Sequence, residues 1–328
     1  MTEAVEVETE GPPQGPPKTL RPESVDLRVA LSHELTLRNP VVTASGTFGS
    51  GKEINRFFDV NRLGAVVVKS VTLEPRPGMP TPRMTETPSG MLNAIGLQNP
   101  GIDAWMARDL AWLAEHKVPT IVSIAGKTAS EYRELTERLR YAPSVVGIEA
   151  NISCPNVEDR NVVFSCSADA TANVISQVAR VATVPVFAKL TPDVTDIATI
   201  AQTAHQSGAA GVSVINTMLG MAIDVEQRRP KLAAVTGGLS GPAIKPVAIR
   251  AVHQIHQALP HLPIIGMGGV RTVEDVIEFV LAGATAVAVG TATFTNPVVS
   301  SEIAQELPRW LGERGYSTIR ELRGAWRR

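Results

Sequence analysis

Two lysines and one cysteine stand where such side chains can do chemistry. Lys69 directly follows the apolar run Val66-Val67-Val68, and Lys189 closes a second run that begins at Pro185. A lysine at the end of an apolar strand roots its stem inside the protein. Three readings stay open for each: a Schiff-base nucleophile, an anchor for an anion, or a stem that snorkels its head to water. The two together point to an anionic ligand gripped from opposite sides. Cys154 lies in Asn151-Ile152-Ser153-Cys154-Pro155-Asn156, just beyond another apolar run. A lone cysteine is more often a small buried hydrophobe. A turn at a strand end would instead open the thiol to a cavity, where its thiolate accepts a proton if a neighbour lowers the usual pKa of ~8.5. Cys166, in a polar stretch, is given no role.

Other apolar runs also end in small polar residues: Ser45-Gly46, Ser70, Ser123 and Asn216-Thr217. Two end in glycines, Gly268-Gly269 ahead of Thr272-Val273-Glu274-Asp275, and Gly290-Thr291. Backbone N–H groups there could cradle a phosphate, or the glycines could serve tight turns alone. The six histidines fall in helical segments or outer loops. His253 and His256 share a helix face and could hold a metal, but no matching carboxylate accompanies them, so an exposed face is expected. No carboxylate pair ends facing runs, which argues against a glycosidase.

Positioning these groups requires a regular frame. Eight β-like runs occupy 39–45, 65–72, 119–126, 145–153, 185–191, 211–217, 263–270 and 286–293. Most are too continuously apolar for a half-exposed antiparallel sheet. Helical patterns fill 103–116, 130–141, 168–183, 195–207, 242–259 and 272–282, with Trp105, Leu110 and Leu113 as core positions and Ser130 as an N-cap. Gly208 and Gly283 stand where C-caps are needed. The alternation predicts an α/β fold, a (β/α)8 TIM barrel with its working residues at the strand C-termini. The rival, a doubly wound nucleotide-binding sheet, should carry G-x-G-x-x-G after an early strand, and none is present. Segments 73–100 and 218–241 read as long loops over the C-terminal face. Residues 1–24, rich in Pro and Glu, read as a disordered tail ahead of a barrel domain over 25–328.

Composition bounds the function. Thirty-one Lys and Arg against thirty-two Asp and Glu leave a net charge of -1, without the basic surplus of a nucleic-acid binder. No apolar window is long enough to predict a membrane span, and no secretory signal is read. Two cysteines exclude a disulfide scaffold and any four-cysteine cluster built from this chain. A reducing, cytoplasmic compartment is expected.

The stretch LEPRPGMPTPRMTETPSGMLNAIGLQNPG (73–101) resembles the class 1B dihydroorotate dehydrogenases. So do ANISCPNV (150–157), AKLTPDVTDI (188–197), VINTMLGM (214–221), GGLSGPAIKPVA (237–248), PIIGMGGV (263–270) and VGTATFTNP (289–297), in family order. The resemblance implies a TIM barrel that binds one FMN per chain and oxidises (S)-dihydroorotate to orotate in de novo pyrimidine synthesis. It implies an FMN phosphate on Gly268, Gly269, Gly290 and Thr291. Ser45, Lys69, Ser70, Ser123, Asn151, Lys189, Ile215 and Gly241 match the other flavin positions. Asn93, Ala94, Ile95, Gly96, Leu97, Asn151, Asn216 and Thr217 match substrate positions, with Lys69 shared. Cys154 matches the base, and 155–167 a lid. Ser70 stands where many relatives have Gly or Ala, and Ser123 where many have Asn, so tuning of the flavin is expected there. The resemblance further implies a homodimer at the core of a heterotetramer, whose partner subunit carries FAD and a [2Fe-2S] cluster and reduces NAD+. Alternatives are a dihydropyrimidine dehydrogenase-type flavoprotein, a flavin-free sugar-phosphate lyase, and a noncatalytic barrel kept for docking.

Overall fold

The computed structural model describes residues 19–153 and 164–326. Eight strands form its centre: β1 (Val41–Thr43), β2 (Val66–Val67), β3 (Thr120–Ile124), β4 (Val145–Asn151), β5 (Val186–Leu190), β6 (Gly211–Val214), β7 (Ile264–Met267) and β8 (Ala286–Val289). Each lies within one of the eight expected runs. They pair in parallel in the order β1-β8-β7-β6-β5-β4-β3-β2. A parallel bridge between Val42 and Ala65 joins β1 to β2 and closes the ring. The strands are buried almost throughout, which is why they read as continuous apolar runs.

Helices pack outside: α1 over 102–115, α2 (Ala129–Arg138), α3 (Ala168–Val181), α4 (Ile197–Gln206), α5 (Lys245–Ala258), α6 (Val273–Ala282) and α7 (Val299–Glu313). Within α1 a π-helical turn spans Met106–Leu110, and Trp105, Leu110 and Leu113 are buried as expected. The crossover from β1 to β2 contains only the 3-10 turns Ile54–Arg56 and Val60–Arg62. Helix α2 is capped by Thr128 and not by Ser130: the Thr128 side chain accepts from Glu131 N, and the Glu131 carboxylate accepts from Lys127 N. An N-cap hydrogen bond such as that of Thr128 contributes about 1 kcal/mol. Gly208 and Gly283 follow α4 and α6 with φ of 105° and 120°, a region that favours glycine.

Two expectations change. Residues 73–100 and 218–241 are not loops throughout, because short strands interrupt them. They supply a four-stranded antiparallel sheet, ordered Met218–Met221, Thr236–Ser240, Gly90–Asn93, Met84–Thr87, which lies over the C-terminal ends of the barrel strands. Of the expected tail, residues 1–18 lie outside the described residues, while the chain from Thr19 onward is docked: Leu20 N donates to Gly312 O at 2.8 Å. A Cβ at Gly312 would sit 2.6 Å from Leu20 O, so the glycine lets this segment lie against α7.

Candidate active site

Strand register assembles the mouth. Asn151, Lys189 and Ser213 are direct neighbours across β4, β5 and β6, and Ser123 faces Glu149 across β3 and β4. Their side-chain bonds run inside the barrel. Ser70 Oγ and Ser123 Oγ are 2.9 Å apart, Asn151 Nδ2 donates to Ser70 Oγ at 3.1 Å, and Asn216 Nδ2 donates to Asn151 Oδ1 at 3.4 Å. The Tyr132 hydroxyl, from α2, donates to Asn151 O and braces the end of β4. This neutral chain links β2, β3, β4 and β6 into one polar wall.

Beside it lies a charged pair. Lys189 Nζ donates to Ser45 Oγ at 2.9 Å and approaches Glu149 Oε1 at 3.4 Å. Both residues are buried, Lys189 at 4% and Glu149 at 1% exposure. Lysine is therefore no snorkelling surface charge here. Lys69 reaches the same region from β2, since a Cβ at Gly46 would lie 3.6 Å from its Nζ. The two lysines thus flank Ser45-Gly46 at the end of β1.

Glycines join the other side. Gly241, Gly268 and Gly269 have φ of 97°, 129° and 82°. A Cβ at Gly269 would meet Gly241 O and Lys245 Cβ at 2.9 Å, and one at Gly290 would meet Ala44 Cβ at 3.2 Å. Close packing of loops therefore explains these glycines as well as a ligand would. Thr291 opens a 3-10 turn whose first N–H groups have no partner within the turn, and its Oγ1 donates to Ser240 Oγ at 2.8 Å. The ends of β7, β8 and the mouth sheet meet at this point. Asp275 fixes the β7 turn by accepting from Arg271 N and Thr272 N, and Lys245 bonds to Asp275 and Glu278. Those two carboxylates hold the Lys245 pKa above its ordinary value.

The mouth sheet covers the polar wall. Asn93 Nδ2 donates to Gly238 O at 3.3 Å, and Thr217 N donates to Asn216 Oδ1 at 2.8 Å. Gly238 is required: a Cβ there would overlap Thr217 Oγ1. Ala94, Ile95, Gly96 and Leu97 continue directly from the strand Gly90–Asn93, and Leu97 O accepts from Asn99 Nδ2. Ile215, just past β6, is buried and its N–H donates to Met267 O. Cys154 lies outside the described residues, as does 155–163 of the expected lid. The rest of that segment contains a 3-10 turn, Phe164–Cys166, with Phe164 buried edge-on against Tyr132. Cys166 Sγ faces Asp193 O, and partial burial, then the Asp193 carboxylate, push its thiol pKa up, which does not favour a reactive thiolate.

Sequence reading missed Glu149. The single acidic letter in Val-Val-Gly-Ile-Glu-Ala-Asn was its only signal, and facing inward is a property of register. It also expected His253 and His256 on an exposed face. His256 is instead wedged between Gly283 and Gly324, where a Cβ on either glycine would overlap its ring.

A closed (β/α)8 barrel with charged and amide groups gathered under a sheet at its C-terminal mouth is the frame of a barrel enzyme that binds a polar ligand. The family model described as dihydroorotate dehydrogenase matches residues 27–311. A protein of Desulforudis audaxviator named dihydroorotate dehydrogenase B (NAD(+)), catalytic subunit, is 54% identical over 291 residues, 89% of this chain and 94% of that one. Proteins of the same name from Anoxybacillus flavithermus and Halalkalibacterium halodurans are 52% and 51% identical, covering 88% and 89% of this chain and 93% and 96% of theirs. The chain belongs to the dihydroorotate dehydrogenase family.

Proposed function

We propose that this chain is the FMN-carrying catalytic subunit of an NAD+-linked enzyme that oxidises (S)-dihydroorotate to orotate in pyrimidine biosynthesis. The observation that carries the reading is the buried polar mouth, built from Lys189, Asn151, Ser70 and Ser123, in a chain of this family. These residues fit a flavin. The amide–hydroxyl wall offers donors and acceptors to a heteroaromatic ring edge, and the Lys189 ammonium offers positive charge beside it. Gly268, Gly269, Gly290 and Thr291, with Gly241, would hold the phosphate through backbone N–H groups. Ser45, Lys69 and Ile215 would complete the ring site.

When bound, FMN supplies the acceptor for the hydrogen and two electrons that leave C6 of dihydroorotate. The protein's own residues do the rest. Cys154 takes the proton from C5, which requires its thiolate within ~3 Å of that hydrogen and a pKa near the working pH. Lys69, Asn93 and the amides of Ala94, Ile95, Gly96 and Leu97 hold the carboxylate and ring. Asn151, Asn216 and Thr217 orient the opposite edge, converting an encounter into an intramolecular step. The mouth sheet excludes water from above.

The relatives' name, a catalytic subunit linked to NAD(+), supports a partner subunit, to which we assign FAD and a [2Fe-2S] cluster. The exposed apolar side chains on and beside the mouth sheet, Leu219 and Val225 at 70% and 78% exposure, support association into the dimer core of a heterotetramer. Among the described residues no helix is long and apolar enough to cross a membrane. Two cysteines in the whole chain fit a reducing compartment, and we place the reaction in the cytoplasm.

Anaerobic addition of dihydroorotate to the purified protein tests the reading. Visible flavin absorbance should bleach, and dihydrouracil should leave it unchanged. A colourless protein trapped by borohydride with a sugar phosphate would replace this reading by a Schiff-base lyase.

A further inference from the structure

We infer that Glu149 is a positioning residue whose buried carboxylate aims the Lys189 ammonium and sets the net charge that the mouth floor presents to the flavin. The inference rests on the FMN reading above. Nζ of Lys189 lies between Ser45 Oγ and Glu149 Oε1, and neither charged group reaches the surface. An ammonium has three donors, so two are directed by β1 and β4 and the third is left for the mouth. Glu149 Oε2 and Ser213 Oγ accept no hydrogen bond among the described residues, although both are fully buried. An isolated, incompletely bonded ion pair is weak evidence for stabilisation, because desolvation offsets the attraction and apolar replacements often do as well. Such a pair is better explained by what its charges do. Without Glu149 the floor would carry one more positive charge in a low-dielectric site, where its field on a ring above is strong.

Glu149→Gln tests this, since the amide keeps the shape and an oxygen acceptor but removes the charge. With one more positive charge below it, the reduced, negatively charged ring is favoured. The reduced-to-oxidised ratio at a fixed potential should rise about tenfold, a midpoint shift of about +30 mV for a two-electron couple. Lys189→Met should shift the midpoint the other way. The double variant, neutral like the wild-type pair, should return close to the wild-type value. A merely structural carboxylate would lower thermal stability or flavin content and leave the midpoint of the bound flavin unmoved, which would overturn the inference. If Glu149→Gln does not fold, Glu149→Asp should move the midpoint in the same direction by less, and no movement there overturns it equally. The wild-type protein separates the two readings. A colourless wild type removes the flavin reading, whereas a wild type bleached by dihydroorotate beside unmoved variants removes this inference alone.

Discussion

At the residue scale, the described part of the mouth pairs a neutral wall with the buried Lys189–Glu149 ion pair, and the proposed proton acceptor, Cys154, lies outside the described residues. Cys154 follows Asn151 by three positions, and Asn151 is tied by its backbone O to Tyr132 and by its amide to Ser70. A base of this kind is worth roughly 10²–10⁴-fold. Cys154→Ala should therefore slow bleaching by dihydroorotate by that factor at neutral pH, measured by stopped-flow absorbance, while orotate affinity stays near wild type. A rate unchanged by the substitution would take the sulfur out of the mechanism. Lys69 and Lys189 could be singled out because a lysine directly after an apolar run roots its stem inside the protein, whereas Cys154 lies outside the described residues and its role stays a proposal. Glu149 could not be singled out, because an acid within a strand faces in or out according to pairing, and pairing is long-range.

At the element scale, the mouth sheet was hidden for a physical reason. Its strands include Thr-Gly-Gly-Leu-Ser and Gly-Met-Leu-Asn, and such glycine content reads as loop. The glycines serve close approach: Gly237 would place a Cβ 2.7 Å from Asn93 O, and Gly238 would strike Thr217. By contrast, α3 and α4 could be read almost to the residue, because their apolar spacing and caps are local. The Ser130 error at α2 came from two hydroxyl residues close together in the chain, and only geometry selects Thr128. Gly238→Ala tests the role assigned to the sheet. The added methyl must push Thr217 or the strand aside, and overpacking of this kind costs about 1–3 kcal/mol. Because Thr217 and Asn93 are proposed substrate contacts, the loss should fall on orotate binding, roughly 5–150-fold in Kd by difference absorbance. The midpoint of barrel unfolding should move little. A large drop in Tm with unchanged orotate binding would assign the glycine to stability instead.

For the whole molecule, alternation of runs was enough to foresee the barrel, whereas its closure and its lower end were not readable. Closure depends on the Val42–Ala65 bridge across a crossover without an α-helix, and the lower end on a C-terminal segment with no periodicity. That segment docks where α5 and α6 end. Arg323 donates to Gly283 O and Leu262 O, Gly324 N donates to Val280 O, and Trp326 packs edge-on against His253. His256 fills the gap, and its Nδ1 is buried without a partner among the described residues. Burial first, then the charge of Arg323 and then that of His253, hold its pKa below the ordinary 6.5. Above that ordinary value the imidazole is neutral in both folded and unfolded chains and adds no pH dependence. As pH falls from it toward the depressed folded value, the unfolded chain binds a proton that the folded chain refuses, so stability declines through that window. The urea midpoint of the wild type should therefore drop on going from about pH 7.5 to about pH 5, and His256→Gln should remove that share of the drop. The barrel mouth lies at the opposite end, so the pH dependence of bleaching should be the same in both proteins. Parallel urea profiles for the two would show that the histidine contributes nothing to acid sensitivity.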